Sequence, residues 1–185
     1  MRGKRRVAWL AAVVVAALTA PVAAFDGAAL ERLLAGQDCR GCDLSGADLQ
    51  DLELSGRDLR GADLTGAALD MTNFTGANLA GADLSRATAA FALFVSADLS
   101  GARQRDFQAC YDQDLTDARL RGADLTGAVM CATRWLRADL SGAILNGADL
   151  THAIGLTVGQ LDLACGDTAT RLFLGDYTIP PCPLP

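Results

Sequence analysis

Cys39 and Cys42, with two residues between them, have the spacing of a dithiol redox pair or of half a zinc site. No strand–helix–strand pattern surrounds them, as the redox reading requires. Zinc needs further ligands, and the chain offers a lone His152 and the scattered Cys110, Cys131, Cys165 and Cys182. A local disulfide staple is the favoured reading. His152 has no nearby nucleophile at relay spacing, and the serines and threonines recur in one small-polar slot, which makes them poor nucleophiles. No phosphate loop, metal-ligand spacing or acid and base pair stands out. Many evenly spread carboxylates do not make a glycosidase site. The expectation is a non-enzymatic chain with no catalytic, cofactor-binding or metal-binding residues.

What positions these residues is a repeat. From Leu44 to Leu150 a leucine, or a residue of similar size, returns every fifth position, with Ala two before it and often Gly two after. Gly46-Ala47-Asp48-Leu49, Gly61-Ala62-Asp63-Leu64, Gly81-Ala82-Asp83-Leu84 and Gly122-Ala123-Asp124-Leu125 are clear units. A period of five fits neither the helix nor the strand, so the chain reads as a solenoid. A narrow core takes one large and one tiny apolar group per unit, and Gly suits a corner.

The array resembles the pentapeptide-repeat family. That resemblance implies an all-β solenoid: a right-handed quadrilateral β-helix with four pentapeptides per coil, the central and Ala positions pointing inward. Coils would stack at about 4.8 Å, placing Asp43, Asp63 and Asp83 in one acidic column. Short helical caps are expected at both ends. Asp26 to Gly36 carries Leu30, Leu33 and Leu34 at helical spacing, with Gly36 placed to stop it. Thr157 to Gln160 has capping-box spacing, with Leu161, Leu163 and Ala164 before Gly166. The segment from Gly155 to Asp167 also looks like a tail of some bacterial members, without their closing aromatic.

Arg2, Lys4, Arg5 and Arg6, the apolar run Val7 to Ala20, and Pro21-Val22-Ala23-Ala24 match a secretory signal peptide cleaved after Ala24. The run is shorter than the roughly 20 residues of a membrane span, so no stable membrane anchor is expected. Removing its four cations moves the formal net charge from −6 to −10. So acidic a surface repels nucleic acid and favours cationic partners. The parts are then a signal peptide (1–24), an N-terminal cap (25–41), the β-helix (42–154, irregular at 102–113) and a C-terminal cap with tail (155–185). The location is periplasmic or secreted. Six cysteines beyond the cleavage site fit an oxidising compartment. With the coil that the resemblance implies, they pair as Cys39–Cys42, Cys110–Cys131 and Cys165–Cys182.

The central positions run in step from Leu44 to Leu99 and from Leu115 to Leu150, one residue out of phase. Between the two runs lie Arg103, Arg105, Phe107, Cys110 and Tyr111, residue types foreign to the plain repeat. This break is either a tolerated bulge or a binding element. Just before it, Phe94 takes an inward slot, leaving Phe91, Leu93 and Val95 outward. Their contact is either internal, under the segment with Phe107 and Tyr111, or intermolecular. Trp135 takes a central slot and reads as core. The candidate interaction residues are Phe91, Leu93, Val95, Arg103, Arg105, Phe107 and Tyr111. Two functional readings follow: an exported structural or protein-interaction module with an unknown protein partner, a homodimer included; or, from the resemblance, an acidic DNA-mimic acting on a DNA-binding protein such as gyrase. The signal peptide weighs against the second.

Overall fold

The computed structural model describes residues 26–175 and 177–183, so the leader expected at 1–24 lies outside the described residues. Parallel bridges join Asp43 to Asp63, Asp63 to Asp83, Asp48 to Ala68, Glu53 to Asn73 and Asp58 to Asn78, and the chain thus returns over itself after 20 residues. Each coil has four sides. Leu44, Leu64, Leu84, Gln104, Leu125 and Leu145 centre side one; Leu49, Leu69, Ala89, Ala109, Met130 and Leu150 centre side two. Side three carries Leu54, Phe74, Phe94, Leu115 and Trp135, and side four Leu59, Leu79, Leu99, Leu120 and Leu140. All of them are buried, Trp135 included.

A side is held by backbone bonds to the coils above and below. Leu64 N–H donates to the Asp83 carbonyl (2.7 Å) and Asp83 N–H to the Ala62 carbonyl (2.9 Å). Between sides the chain makes a four-residue turn: Ala62 N–H donates to the Leu59 carbonyl (3.0 Å), with Gly61 in the left-handed region at φ 65°. The corner between sides four and one uses glycine at 61, 81, 101, 122 and 142. The corner between sides two and three uses none. Its left-handed positions are Asp51, Met71, Phe91, Asp112, Ala132 and His152, with φ from 41° to 63°. For residues with a Cβ that conformation costs roughly 1–2 kcal/mol each, so this corner is built against backbone preference.

The sides exchange volume to keep the core filled. Side two supplies the small Ala89 and Ala109, while side three supplies Phe74 and Phe94, whose rings stack with centroids 4.9 Å apart. Within one unit, Phe107 takes the position usually held by Ala and is completely buried, next to Ala109 at a central position. A packed interior tolerates such a swap because total volume is conserved.

Both ends are capped by helices. In α1 (Gly27–Leu34) the Asp26 carboxylate accepts from Ala28 N–H at 2.9 Å, and Ala29 and Leu33 are buried. Leu34, expected on the buried face, is exposed, because the helix lays only one narrow stripe on the first coil. Gly36 (φ 76°) ends it in a Schellman arrangement: its N–H reaches the Leu33 carbonyl and Gln37 N–H the Arg32 carbonyl. Any Cβ at Gly36 would also lie 3.2 Å from the Arg57 guanidinium.

The second helix, α2, is one turn, Val158–Leu161, with the full capping box between Thr157 and Gln160. Gln160 Nε2 donates to the carbonyls of Trp135 (2.8 Å) and Ala138 (2.9 Å), closing the last full coil. Gly166 does not end this helix, and Leu163 is exposed rather than packed. The chain has by then rejoined the stack, since Cys165 bridges Ile144, Arg171 bridges Asp149 and Gly166 bridges Pro181.

All three expected disulfides are present, with Cα separations of 5.4 Å (Cys39–Cys42), 4.5 Å (Cys110–Cys131) and 4.7 Å (Cys165–Cys182). Among the described residues no cysteine is free.

Candidate functional site

The break is a one-residue slip. Thr88 bridges Gln108 at a step of 20, whereas Leu93 bridges Asp114 at 21. The extra residue falls after Ala109, whose N–H still finds its normal partner, the Val129 carbonyl, at 2.8 Å. From there the chain swells outward, so Tyr111 stands over Phe91 with ring centroids 6.0 Å apart and an interplanar angle of 20°. Phe91 N–H donates to the Tyr111 carbonyl (2.7 Å), and Cys110–Cys131 ties the same segment to the next coil.

The sequence-derived candidates divide in the structure. Phe91, Leu93, Val95 and Tyr111 share the second corner and the third side; Phe91 is 50% and Tyr111 64% exposed. Phe107 is not on the surface: it is 0% exposed, drawn inward by the room that Ala109 leaves. Arg103 and Arg105 lie on side one, away from that patch. Arg103 Nε donates to Asp83 (2.9 Å) and Arg105 Nε to Asp124 (2.6 Å). Met71 was missed. It stands one coil below Phe91 at the same corner, 51% exposed, and is found only by counting 20 residues back from Phe91.

A ridge results: Met71, Phe91 and Tyr111 on three successive coils, flanked by Leu93 and Val95. Farther along the same corner His152 stacks on Phe173 at 5.6 Å. Exposed apolar patches of this kind are the surface feature that marks contact sites in proteins generally.

The acidic column fares differently. Asp43, Asp63 and Asp83 do stack through consecutive bridges, but the next rung is Arg103. Other sides carry an arginine rung of their own: Arg119 on side four, paired with Asp98 (2.9 Å), and Arg134 on side three, near Asp114 (3.8 Å). Most of these carboxylates also serve their own turns. The Ser45 hydroxyl and N–H donate to Asp43 and hold its carboxyl below the usual range. Burial works against ionisation of Asp83 and Asp124. Hydrogen bonds outweigh it, from Ser85 and Arg103 in the first case and from Thr126 and Arg105 in the second, and both stay lowered. Surface pairs of this kind contribute about 0–1 kcal/mol each.

A cavity of about 560 Å³ opens at the C-terminal end, lined by Thr151, Asp167, Arg171 and Tyr177 among others. Its charges are already engaged: Arg171 with Asp149 (2.7 Å), Asp167 with the N–H groups of Gly147, Ala169 and Thr170. Among the described residues no His, Cys, Asp and Glu group has the arrangement of a metal site.

The family model for pentapeptide repeats matches eight copies, over residues 33–66, 72–103 and 114–154. The chain belongs to the pentapeptide-repeat family. The two gaps between the matched stretches are instructive, because the second, 104–113, is the slip itself. Similar solved structures include two pentapeptide-repeat proteins of the cyanobacterium Nostoc sp. PCC 7120. HetL, involved in heterocyst differentiation regulation, is 21% identical, with 80% of this chain and 100% of that one covered and a TM-score of 0.33. The other, alr5209, is 33% identical over 69% of this chain and 82% of that one, with a TM-score of 0.26. Rfr23 from Cyanothece 51142 is 22% identical over 78% and 97%, with a TM-score of 0.38. Among curated proteins none matches.

Proposed function

We propose that this pentapeptide-repeat chain is an exported, non-enzymatic interaction module. It is a right-handed quadrilateral β-helix, stapled by disulfides, that presents one face to a protein partner. The carrying observation is the ridge Met71–Phe91–Tyr111, raised on a buried and covalently tied coil. A stiff scaffold loses little conformational entropy on binding, so exposed rings on it are efficient anchors. Pairing of all six cysteines favours an oxidising compartment, in line with the signal peptide. The DNA-mimic alternative relies on acidic faces, and the arginines at 103, 119 and 134, which interrupt three different sides, count against it.

Export is tested by expressing a C-terminally tagged chain and measuring the N-terminus of the recovered protein by mass. The expected product begins at Phe25 and is found outside the inner membrane. Unprocessed chain held in the cytoplasm would overturn export and return weight to the DNA-mimic.

A further inference from the structure

Three surfaces stand out from the plain repeat: the C-terminal cavity, the acidic column and the second corner. The charges of the cavity are engaged within the fold, and the acidic column is interrupted at Arg103. Among the described residues, only the second corner combines exposed apolar bulk with a left-handed backbone that gains nothing from it. Met71 and Phe91 hold φ of 58° and 59°, in a conformation that the corner at Gly61, Gly81 and Gly101 gives to glycine. Large residues kept at strained positions point to a role beyond folding.

The surroundings define what such a ridge accepts. Around it lie Asp51, Glu53, Asp70, Asp112 and Asp114, five carboxylates in all, against one guanidinium, Arg134, within 3.6 Å of Asp112 and 3.8 Å of Asp114. The rim is therefore net −4. A second copy of this chain would bring the same negative rim to it, and an anionic membrane or nucleic acid would be repelled as well. The spacing narrows the choice further. Three rungs at about 4.8 Å span roughly 10 Å, close to two turns of an α-helix at 5.4 Å pitch. Apolar residues at i, i+3 or i+4, and i+7 of a helix laid along the ridge fall near Met71, Phe91 and Tyr111 in turn.

We infer that the second corner is a docking site for a basic amphipathic helix of a protein partner, apolar stripe on the ridge and Lys or Arg on the acidic rim. This rests on the interaction-module reading and supplies its partner class.

The test titrates the full chain with a synthetic Leu/Lys amphipathic helix of roughly 18 residues, five turns. Comparison peptides replace every Lys by Glu, or every Leu by Ser. The Leu/Lys peptide should bind, and Phe91→Ser with Tyr111→Ser should weaken it about tenfold or more, as loss of buried aromatic anchors does. Asp43→Asn with Asp63→Asn, on side one, should change it less than about twofold. Should the ridge variant fail to fold, Glu53→Lys with Asp112→Lys keeps the idea testable: the Leu/Lys peptide should weaken and the Leu/Glu peptide gain. Equal binding by parent and ridge variant, binding of the Lys/Ser peptide alone, or self-association that the ridge variant abolishes would each overturn the inference. None of these outcomes touches processing of the leader, so failure here is distinguishable from failure of export.

Discussion

Leu125→Asp should abolish the folded state. Leu125 is fully buried at the centre of side one, its N–H bonded to the Ile144 carbonyl at 2.8 Å. Leu120 and Met130 centre the sides before and after it, so the interior offers an introduced carboxylate no water and no cation. Burying an unpaired charge costs more than the roughly 5–15 kcal/mol that holds most domains together. The variant should show no cooperative unfolding transition in urea. Gln108→Asp, at an outward position, should stay within about 0.5 kcal/mol of the parent. A Leu125→Asp chain as stable as the parent would mean that the central positions do not face inward.

Phe107→Ala should be the costliest simple truncation within the break, at about 3–5 kcal/mol. The ring is buried in a slot where the plain repeat has Ala, and its room comes from Ala109 two residues on. Adding Ala109→Phe to Phe107→Ala restores the ordinary order of small then large, and should recover more than half of the loss. Urea midpoints of the single and double variants measure both effects. A neutral Phe107→Ala would show that the ring is not packed.

Much of this was legible in the residues. A five-residue period with paired large and small positions gives the inward set from Leu44 to Leu150 almost completely. Leucines at helical spacing ahead of Gly36 place α1, capping-box spacing places α2, and the phase change between Leu99 and Leu115 reveals the slip. Phe107 escaped because it sits in neither phase's central slot, and a reading based on central residues leaves it outside. Its burial depends on a neighbouring vacancy that only three-dimensional packing exposes. Arg103 and Arg105 looked like partner-facing cations because their ion pairs, to Asp83 and Asp124, are 20 and 19 residues away. The ridge escaped in part for a similar reason. Phe91 and Tyr111 stand out in the sequence as candidates, but Met71 does not, and the three become one ridge only once the coil stacks them.

Hydroxyl-radical footprinting of the folded chain, read residue by residue by mass spectrometry, tests this division of inside from outside most directly. Met71, Phe91 and Tyr111 should be modified readily, while Phe74, Phe94, Phe107 and Trp135 stay protected until the chain is denatured. Ready modification of Phe107, with Phe91 and Tyr111 protected, would contradict the ridge and the slip that builds it.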